Sequence, residues 1–535
     1  MIRVLGAALL SGLALALYAR AEWPWLIFGW VALVPWFAAL DRITSLRATF
    51  FAGLLMSAAL VITCYYWLPA AIHDYSGAQW GICLLVVLLL APLLEPQFVA
   101  LAMARRLVRT GKFGVMPLAP LAGAFAYVGV EWAVPKLFPV SLGHPLFGSN
   151  LLRQGADVAG VFGLSFIILL ANDCVLTMVR SAMSRNGGWM RKFFASAVCL
   201  AALVLVPSGY GVLRYHQIAA RDAQTDAITV GIVQAGISHY DRLAAEFGTY
   251  ATVRAILDEH EELSLELLAR GDIDLLVWPE TVYPLTFKAP ESPEAADLDL
   301  GIEEFVMGTG VPLVFGAYDL EGDKRFNAAF FVEFSSIGDD LKLHAYRKTR
   351  LFPFTEWTPP VFDNPAVRSV LPWLGHWTPG PGARSVFLTL ADGRSVKIAP
   401  LICYDALDPA HAIAAVRAGG EVILTISNDS WFAYGSVPRF ILILSAFRSI
   451  ETRRPQLRAT NTGISAVVMP TGEIVERLDL NARGVLVGSV RPESGMTLML
   501  LFGDWFGPAA LAAAFLILVL PLIRSSGKGI RRPTD

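Results

Sequence analysis

Apolar residues follow two different rhythms along this chain. Up to about residue 213, and again near the C-terminus, they form runs close to the roughly 20 residues a bilayer-spanning helix needs. These runs predict spans at 4–19, 24–40, 48–68, 81–104, 116–135, 157–180, 193–213 and 501–523. Between 214 and 500 the rhythm changes to short β-branched stretches broken by Gly, Pro and charges. Strands are expected at Ile228–Gln234, Asp274–Trp278 and near 312–317, 327–334, 384–390, 395–402, 421–427 and 464–469. An amphipathic helix is expected over 241–270, closed by Gly271, and Asp392-Gly393 is a hairpin turn signal. The organisation read from this is a membrane domain at 1–213, an α/β domain with its own core at 214–500, and a last span with a basic tail at 501–535.

The loops orient the spans. Arg3, Arg42 and Arg47, the Arg105–Lys112 group, the Arg180–Lys192 group and the tail cations Arg524–Arg532 all fall on one side. The opposite short loops hold only Arg20, Lys136 and Arg153. By the positive-inside bias both termini are cytoplasmic and residues 214–500 lie outside. Arg3, the first apolar run and Ala19-Arg20-Ala21 also fit a cleavable signal peptide. The next span starts two or three residues later, which favours a retained anchor, and cleavage leaves the orientation unchanged. Glu95 and Asp173 fall inside spans. Such carboxylates are functional candidates by default. Here Asp173 is within snorkelling reach of the cytoplasmic end and Glu95-Pro96 reads as a kink, so structural roles are favoured.

Composition agrees with a membrane protein. Of the 535 residues 55% are hydrophobic and 16% charged, against about 25% charged in soluble domains; mean hydropathy is +0.54. A net charge of −2 gives no reason to expect nucleic acid. Cys64, Cys83, Cys174 and Cys199 lie in apolar spans, whereas Cys403 is alone in the polar part, which excludes an internal disulfide there. No Cys/His cluster has zinc spacing, and no metal or cofactor is expected.

Three segments of the α/β part carry chemistry. Leu275–Val277 leads through Trp278-Pro279 to Glu280; Tyr346-Arg347 leads to Lys348, with Glu356 eight residues on; and Ile398–Ile402 leads to Cys403, Tyr404 and Asp405. Glu280 and Cys403 each stand just beyond an apolar run read as a strand, where sites gather in α/β folds. Taken singly, such a Glu is most often a loop carboxylate, such a Lys surface and such a Cys core. Together they supply what thiol catalysis needs: a nucleophile, a base to ionise it and a cation for the oxyanion.

The trio resembles the Glu-Lys-Cys triad of the nitrilase superfamily of carbon–nitrogen hydrolases. Ile426–Phe432 and Arg458–Gly463 match the same superfamily. The arrangement of such a domain between seven upstream spans and one downstream span is similar to the apolipoprotein N-acyltransferase family, over nearly the whole chain. That resemblance implies a bundle of about eight spans plus a nitrilase-like α-β-β-α sandwich, in a monomer of the bacterial inner membrane with the catalytic domain in the periplasm. It implies acyl transfer from a phospholipid to the α-amine of a diacylglyceryl-cysteine on an apolipoprotein, through a thioester on Cys403. Glu280 becomes the general base and acid, Lys348 the oxyanion cation together with the Tyr404 backbone N–H, and Glu356 a support for the lysine and the amine. Tyr404 and Trp431 join Glu356 as expected substrate-binding residues.

Aromatics at 352–377 and 431–440, set among prolines in the first of these, suit contact with the membrane interface. Two segments depart from the family pattern: Ala235–His239 after the first strand, and Pro438–Ile441. The departures bear on the acceptor and leave open a divergent paralogue acylating another amine. A membrane-anchored amidase using water is the other alternative the triad allows.

Overall fold

The computed structural model describes residues 1–110, 116–184, 187–222, 226–237, 240–334, 340–371, 373–430 and 436–526. It divides into two compact units, Met1–Tyr215 with Asp504–Asp535, and His216–Gly503.

The first unit is helical: α1 Ile2–Tyr18, α2 Val34–Leu40, α3 Leu46–Cys64, α4 Leu68–Ser76, α5 Trp80–Leu94, α6 Gln97–Thr110, α7 Ala119–Ala133, α8 Ala156–Ser184 and α9 Trp189–Asp222, with a closing helix at Phe506–Ser526. Among the described residues four helical stretches are long and apolar enough to cross a membrane: Leu46–Cys64, Trp80–Thr110, Leu152–Ser184 and Trp189–Ala220. The chain is thus a membrane protein by length and hydropathy, but its spans are not eight uninterrupted helices.

The span expected at 24–40 is instead a 3-10 turn, Trp25–Trp30, followed by the seven-residue α2. Pro35 in the first turn of α2 has no N–H to continue an earlier helix. The interruption is tolerated because Asn172 fills it: its Oδ1 accepts from Leu33 N at 2.8 Å and its Nδ2 donates to Gly29 O at 2.7 Å. The 81–104 span likewise breaks at Glu95-Pro96. There Ser57 Oγ donates to Ala91 O at 2.7 Å and accepts from Glu95 N at 3.1 Å. Backbone groups freed inside a membrane must find such partners. Asp173 does not snorkel; it is buried and paired at 2.5 Å with Arg105, whose guanidinium also holds Asp41.

The second unit is built on two sheets. The first runs β13-β1-β2-β4-β5-β6, with β3 on β4: β1 Ile228–Gln234, β2 Leu275–Val277, β3 Tyr283–Thr286, β4 Leu313–Glu321, β5 Lys324–Phe334, β6 Leu341–Arg347 and β13 Gly484–Val490. The second runs β12-β11-β10-β9-β8-β7: β7 Val386–Thr389, β8 Ser395–Ile402, β9 Val422–Ser427, β10 Gln456–Thr460, β11 Ser465–Val468 and β12 Ile474–Leu478. Ile232, Val277 and Phe331 of one sheet pack on Ile398, Leu424 and Leu457 of the other. A second core lies under Thr249–Leu268 and Pro293–Thr309 on the outer face of the first sheet. Helix Val437–Thr452 covers the second sheet, where Gln456 Nε2 donates to Ser445 Oγ at 2.6 Å. The layering is α-β-β-α. Parallel pairing of β1, β2 and β4, and of β8, β9 and β10, aligns the C-terminal ends of the strands that carry the chemistry.

Candidate active site

Glu280 follows β2 through Trp278-Pro279. Its backbone passes so close to β4 that a Cβ on Gly316 would lie 2.5 Å from Glu280 Cα, so only glycine fits there. The carboxylate is buried. Its Oε1 accepts from Asn327 Nδ2 at 2.7 Å and from Lys348 Nζ at 3.0 Å, and its Oε2 from the Asn428 backbone N–H at 2.7 Å. Lys348, 1% exposed, extends from the end of β6, with its backbone N–H on Asn327 O at 2.8 Å. Its ammonium lies 2.7 Å from Glu356 Oε1, and Glu356 Oε2 accepts from Phe352 N at 2.7 Å. The structure therefore joins three of the expected residues in one chain, Glu280–Lys348–Glu356.

Cys403 follows β8 and starts a 3-10 turn with φ +47°, a conformation uncommon for a non-glycine residue. Such outliers cost roughly 1–3 kcal/mol and persist only where surroundings impose them. Here Asp405 does the imposing. Buried, it accepts from Ile402 N at 3.1 Å on the cysteine side, and from Thr349 N at 3.2 Å and Arg350 N at 2.6 Å on the lysine side. Tyr346 Oη, which lies 2.8 Å from His411 Nε2, donates to Asp405 at 2.9 Å. One carboxylate thus locks the Cys403 turn to the Lys348 loop. Tyr404 is half-buried with its ring edge-on to Phe352 at 5.1 Å.

Electrostatics sort these groups. Burial pushes the Cys403 thiol up, and the nearby Lys348 charge only partly offsets this, so the sulfur rests protonated. Burial also raises Glu280; Lys348 opposes the shift and Glu356 adds to it. For Lys348 burial works against the charge, but Glu280 and Glu356 overcome it and hold the pKa well above the usual lysine value. The arrangement offers a neutral thiol, a carboxylate with enhanced basicity and a permanent cation.

Asn327 and Asn428, with no role expected from the sequence, complete the Glu280 site. No motif marks Asn327; it reaches Glu280 only through the pairing of β4, β5 and β6. Asn428 belongs to a segment singled out for its likeness, and its turn is braced by the buried Asp429–Arg458 pair at 2.7 Å. Trp431 lies outside the described residues, as do Ser238 and His239 of the divergent segment. What precedes them is docked: Asn461 holds Ile237 through both backbone groups and accepts from Gly236 N at 3.0 Å. Among the described residues no group of three His, Cys, Asp or Glu is placed to hold a metal.

A thiol, a carboxylate and an ammonium at strand ends of paired sheets define an enzyme of the nitrilase superfamily, and the sequence model for Carbon-nitrogen hydrolase matches residues 229–496. The model for the Apolipoprotein N-acyltransferase N-terminal domain matches residues 11–174. The chain is 31% identical to the apolipoprotein N-acyltransferase of Geobacter metallireducens, over 97% of this chain and 95% of the relative, and 28% identical to that of Bdellovibrio bacteriovorus, over 93% and 90%. It belongs to the apolipoprotein N-acyltransferase family. Among solved structures an amidase from Nesterenkonia sp. aligns with 50% of this chain and 91% of its own at 20% identity and a TM-score of 0.36, a likeness too slight to conclude from.

Proposed function

We propose that this enzyme moves one acyl chain from a membrane phospholipid to the α-amino group of a diacylglyceryl-cysteine at the N-terminus of an apolipoprotein. The observation that carries the mechanism is the buried Glu280–Lys348–Glu356 chain within electrostatic reach of Cys403 on its left-handed turn. Relatives of this name along nearly the full length supply the substrates.

In the first half-reaction Glu280 takes the Cys403 proton as sulfur attacks the ester carbonyl. The resting thiol makes this base necessary, since thiolate is the nucleophile. Lysine has three N–H donors, and Glu280 and Glu356 engage two of those on Lys348. The third, with the Tyr404 backbone N–H, stabilises the tetrahedral oxyanion. The C–O bond breaks, Glu280 returns the proton to the departing lysophospholipid alkoxide, and the acyl group stays on sulfur as a thioester. In the second half-reaction the lipoprotein amine attacks that carbonyl and gives a proton to Glu280; the C–S bond breaks, and Glu280 returns the proton to the departing Cys403 thiolate. Glu356, tied to Lys348 and to the loop that follows, steadies the cation and receives the amine.

Loop charge supports a catalytic domain at 214–500 on the outer face of the bacterial inner membrane, between a membrane domain at 1–213 and a last span at 501–535. Residues after Lys348 suit lipid access: Phe354, Trp357 and Phe362 are 37%, 40% and 45% exposed. The loop base is fastened, Gly375 N to Phe354 O at 2.8 Å and Trp377 N to Glu356 O at 2.9 Å, so movement to admit two lipids in turn falls to the exposed tip around Val361 and Val370.

The test is direct. Purified enzyme is incubated with a phospholipid and a diacylated lipopeptide, and products are read by mass spectrometry. A lipopeptide heavier by one acyl chain is expected; free fatty acid with unchanged lipopeptide would make the protein a hydrolase instead.

A further inference from the structure

Resting on that reading, the site has a selection problem that its triad does not solve. Donor and acceptor are both glycerol esters of fatty acids, and Cys403 must open an ester of the first while sparing those of the second. The chemical difference between them is the donor's phosphodiester. A cation at the rim of the site, outside the triad, distinguishes the two.

Arg350 occupies that place. It stands two residues beyond Lys348 on the same loop, its backbone N–H fixed by Asp405 at 2.6 Å, so its position is set by the carboxylate that also holds the Cys403 turn. Its guanidinium lies outward: the side chain is 50% exposed, with Nε 2.6 Å from Asp408 Oδ2. Asp408 closes the turn that Cys403 opens, so the pair flanks the nucleophile. Tyr404, next to Cys403, feels the Arg350 charge. An exposed carboxylate pair contributes about 0–1 kcal/mol, so it is exchanged at little cost for a phosphate oxygen pair that fits the same fork. Asp408 loses nothing structural in the exchange, because its other oxygen caps the next helix through Ala410 N at 2.9 Å.

We infer that Arg350 is the anchor for the phosphodiester of the acyl donor, a specificity residue for the first half-reaction that plays no part in the second. Asp408 holds the guanidinium in place between turnovers.

The experiment compares thioester formation on Cys403 from a diacyl phospholipid with that from diacylglycerol of the same chains, in detergent micelles. The wild-type enzyme is expected to favour the phospholipid, and Arg350→Gln to cut its use roughly 10- to 100-fold while changing diacylglycerol use by less than about twofold. Arg350→Lys, which keeps charge but not the fork, should fall between. Asp408→Asn keeps the helix cap and should leave phospholipid use unchanged or higher. Release of the preformed thioester to a phosphate-free lipopeptide should be the same in all four proteins. An unaltered phospholipid-to-diacylglycerol ratio in Arg350→Gln, or equal losses on both donors at reduced melting temperature, would overturn the assignment. Absence of any thioester in the wild-type enzyme would instead fail the proposed function itself.

Discussion

Among the described residues two lysines sit between pairs of glutamates, one in each unit. In the helical unit Lys136 lies 2.9 Å from Glu95 and 3.0 Å from Glu131; in the sheet unit Lys348 lies 3.0 Å from Glu280 and 2.7 Å from Glu356. Both triads are largely buried, and their pair distances are alike. They differ in what surrounds them. Lys136 places its third N–H on Val140 O at 3.2 Å, and Tyr65 Oη donates to Glu95 at 3.3 Å; the cluster ties a helix break to the loop after α7. The carboxylates around Lys348 accept from Asn327, Asn428 N and Phe352 N, much as Glu95 accepts from Tyr65 and Gln97; what sets Lys348 apart is a thiol within electrostatic reach and an N–H beyond the two that its glutamates engage. A buried ion triad is not in itself a catalytic site. The proposed one adds a nucleophile and a donor left for a substrate.

The comparison predicts its own breakage. The largest effect belongs to the thiol: Cys403→Ala should show no acyl labelling at all, and labelling that persists would move the nucleophile elsewhere. Next come the lysines. Lys348→Met should lose about 10²–10³ in rate per folded molecule, the cost of one oxyanion donor, besides the stability lost when a buried cation leaves its carboxylates. Lys136→Met should cost about 3–5 kcal/mol in unfolding for the same reason, while rate per folded molecule changes by less than about twofold. Rates corrected for folded protein decide this, and a large rate loss in Lys136→Met with none in Lys348→Met would exchange the roles of the two triads.

Smaller effects sharpen the picture. Trp357 is 40% exposed, not core, so Trp357→Ala should cost well below the roughly 3–5 kcal/mol of a buried tryptophan yet slow transfer from bilayer phospholipid. A steep drop in melting temperature, with activity tracking folded protein, would rule out a lipid-facing loop. The smallest effect is a pH shift. On the proposed mechanism Glu280 acts ionised, so acylation should fall as pH drops through its pKa, which burial and the Glu356 charge, against the opposing Lys348, place above the ordinary carboxylate range. Glu356→Gln removes one raising charge, and the acid limb of the rate profile should move to lower pH. A limb that stays put would show that Glu280 does not govern it.

The elements legible in the sequence are those whose polarity reports their burial. Ile228–Gln234 and Ser395–Ile402 stand where the β-branched runs place them. Gln456–Thr460 escaped because it is a buried strand with polar side chains, Gln456 donating to Thr425 and Ser445 and Arg458 paired with Asp429. Leu341–Arg347 escaped because Lys342 and His344 make an edge strand look like a loop. The sequence showed the membrane and, at Glu95-Pro96, one of the breaks, but not the interruption at 24–40, where Asn172 repairs the backbone from another helix. Glu280 and Cys403 drew notice as candidates at the ends of apolar runs, and Lys348, after a strand that escaped, only together with them; the structure joins Glu280, Lys348 and Glu356, while Asn327 and the bracing role of Asp405 exist only once sheets are paired.

The thioester is the centre of the account, and a two-stage mass measurement on the Cys403 peptide tests it most directly. Enzyme given phospholipid alone should carry one acyl chain on Cys403; adding diacylated lipopeptide should return that peptide to its unmodified mass as the lipopeptide gains the chain. Acylated lipopeptide appearing while Cys403 stays unmodified throughout, or appearing equally with Cys403→Ala, would contradict it.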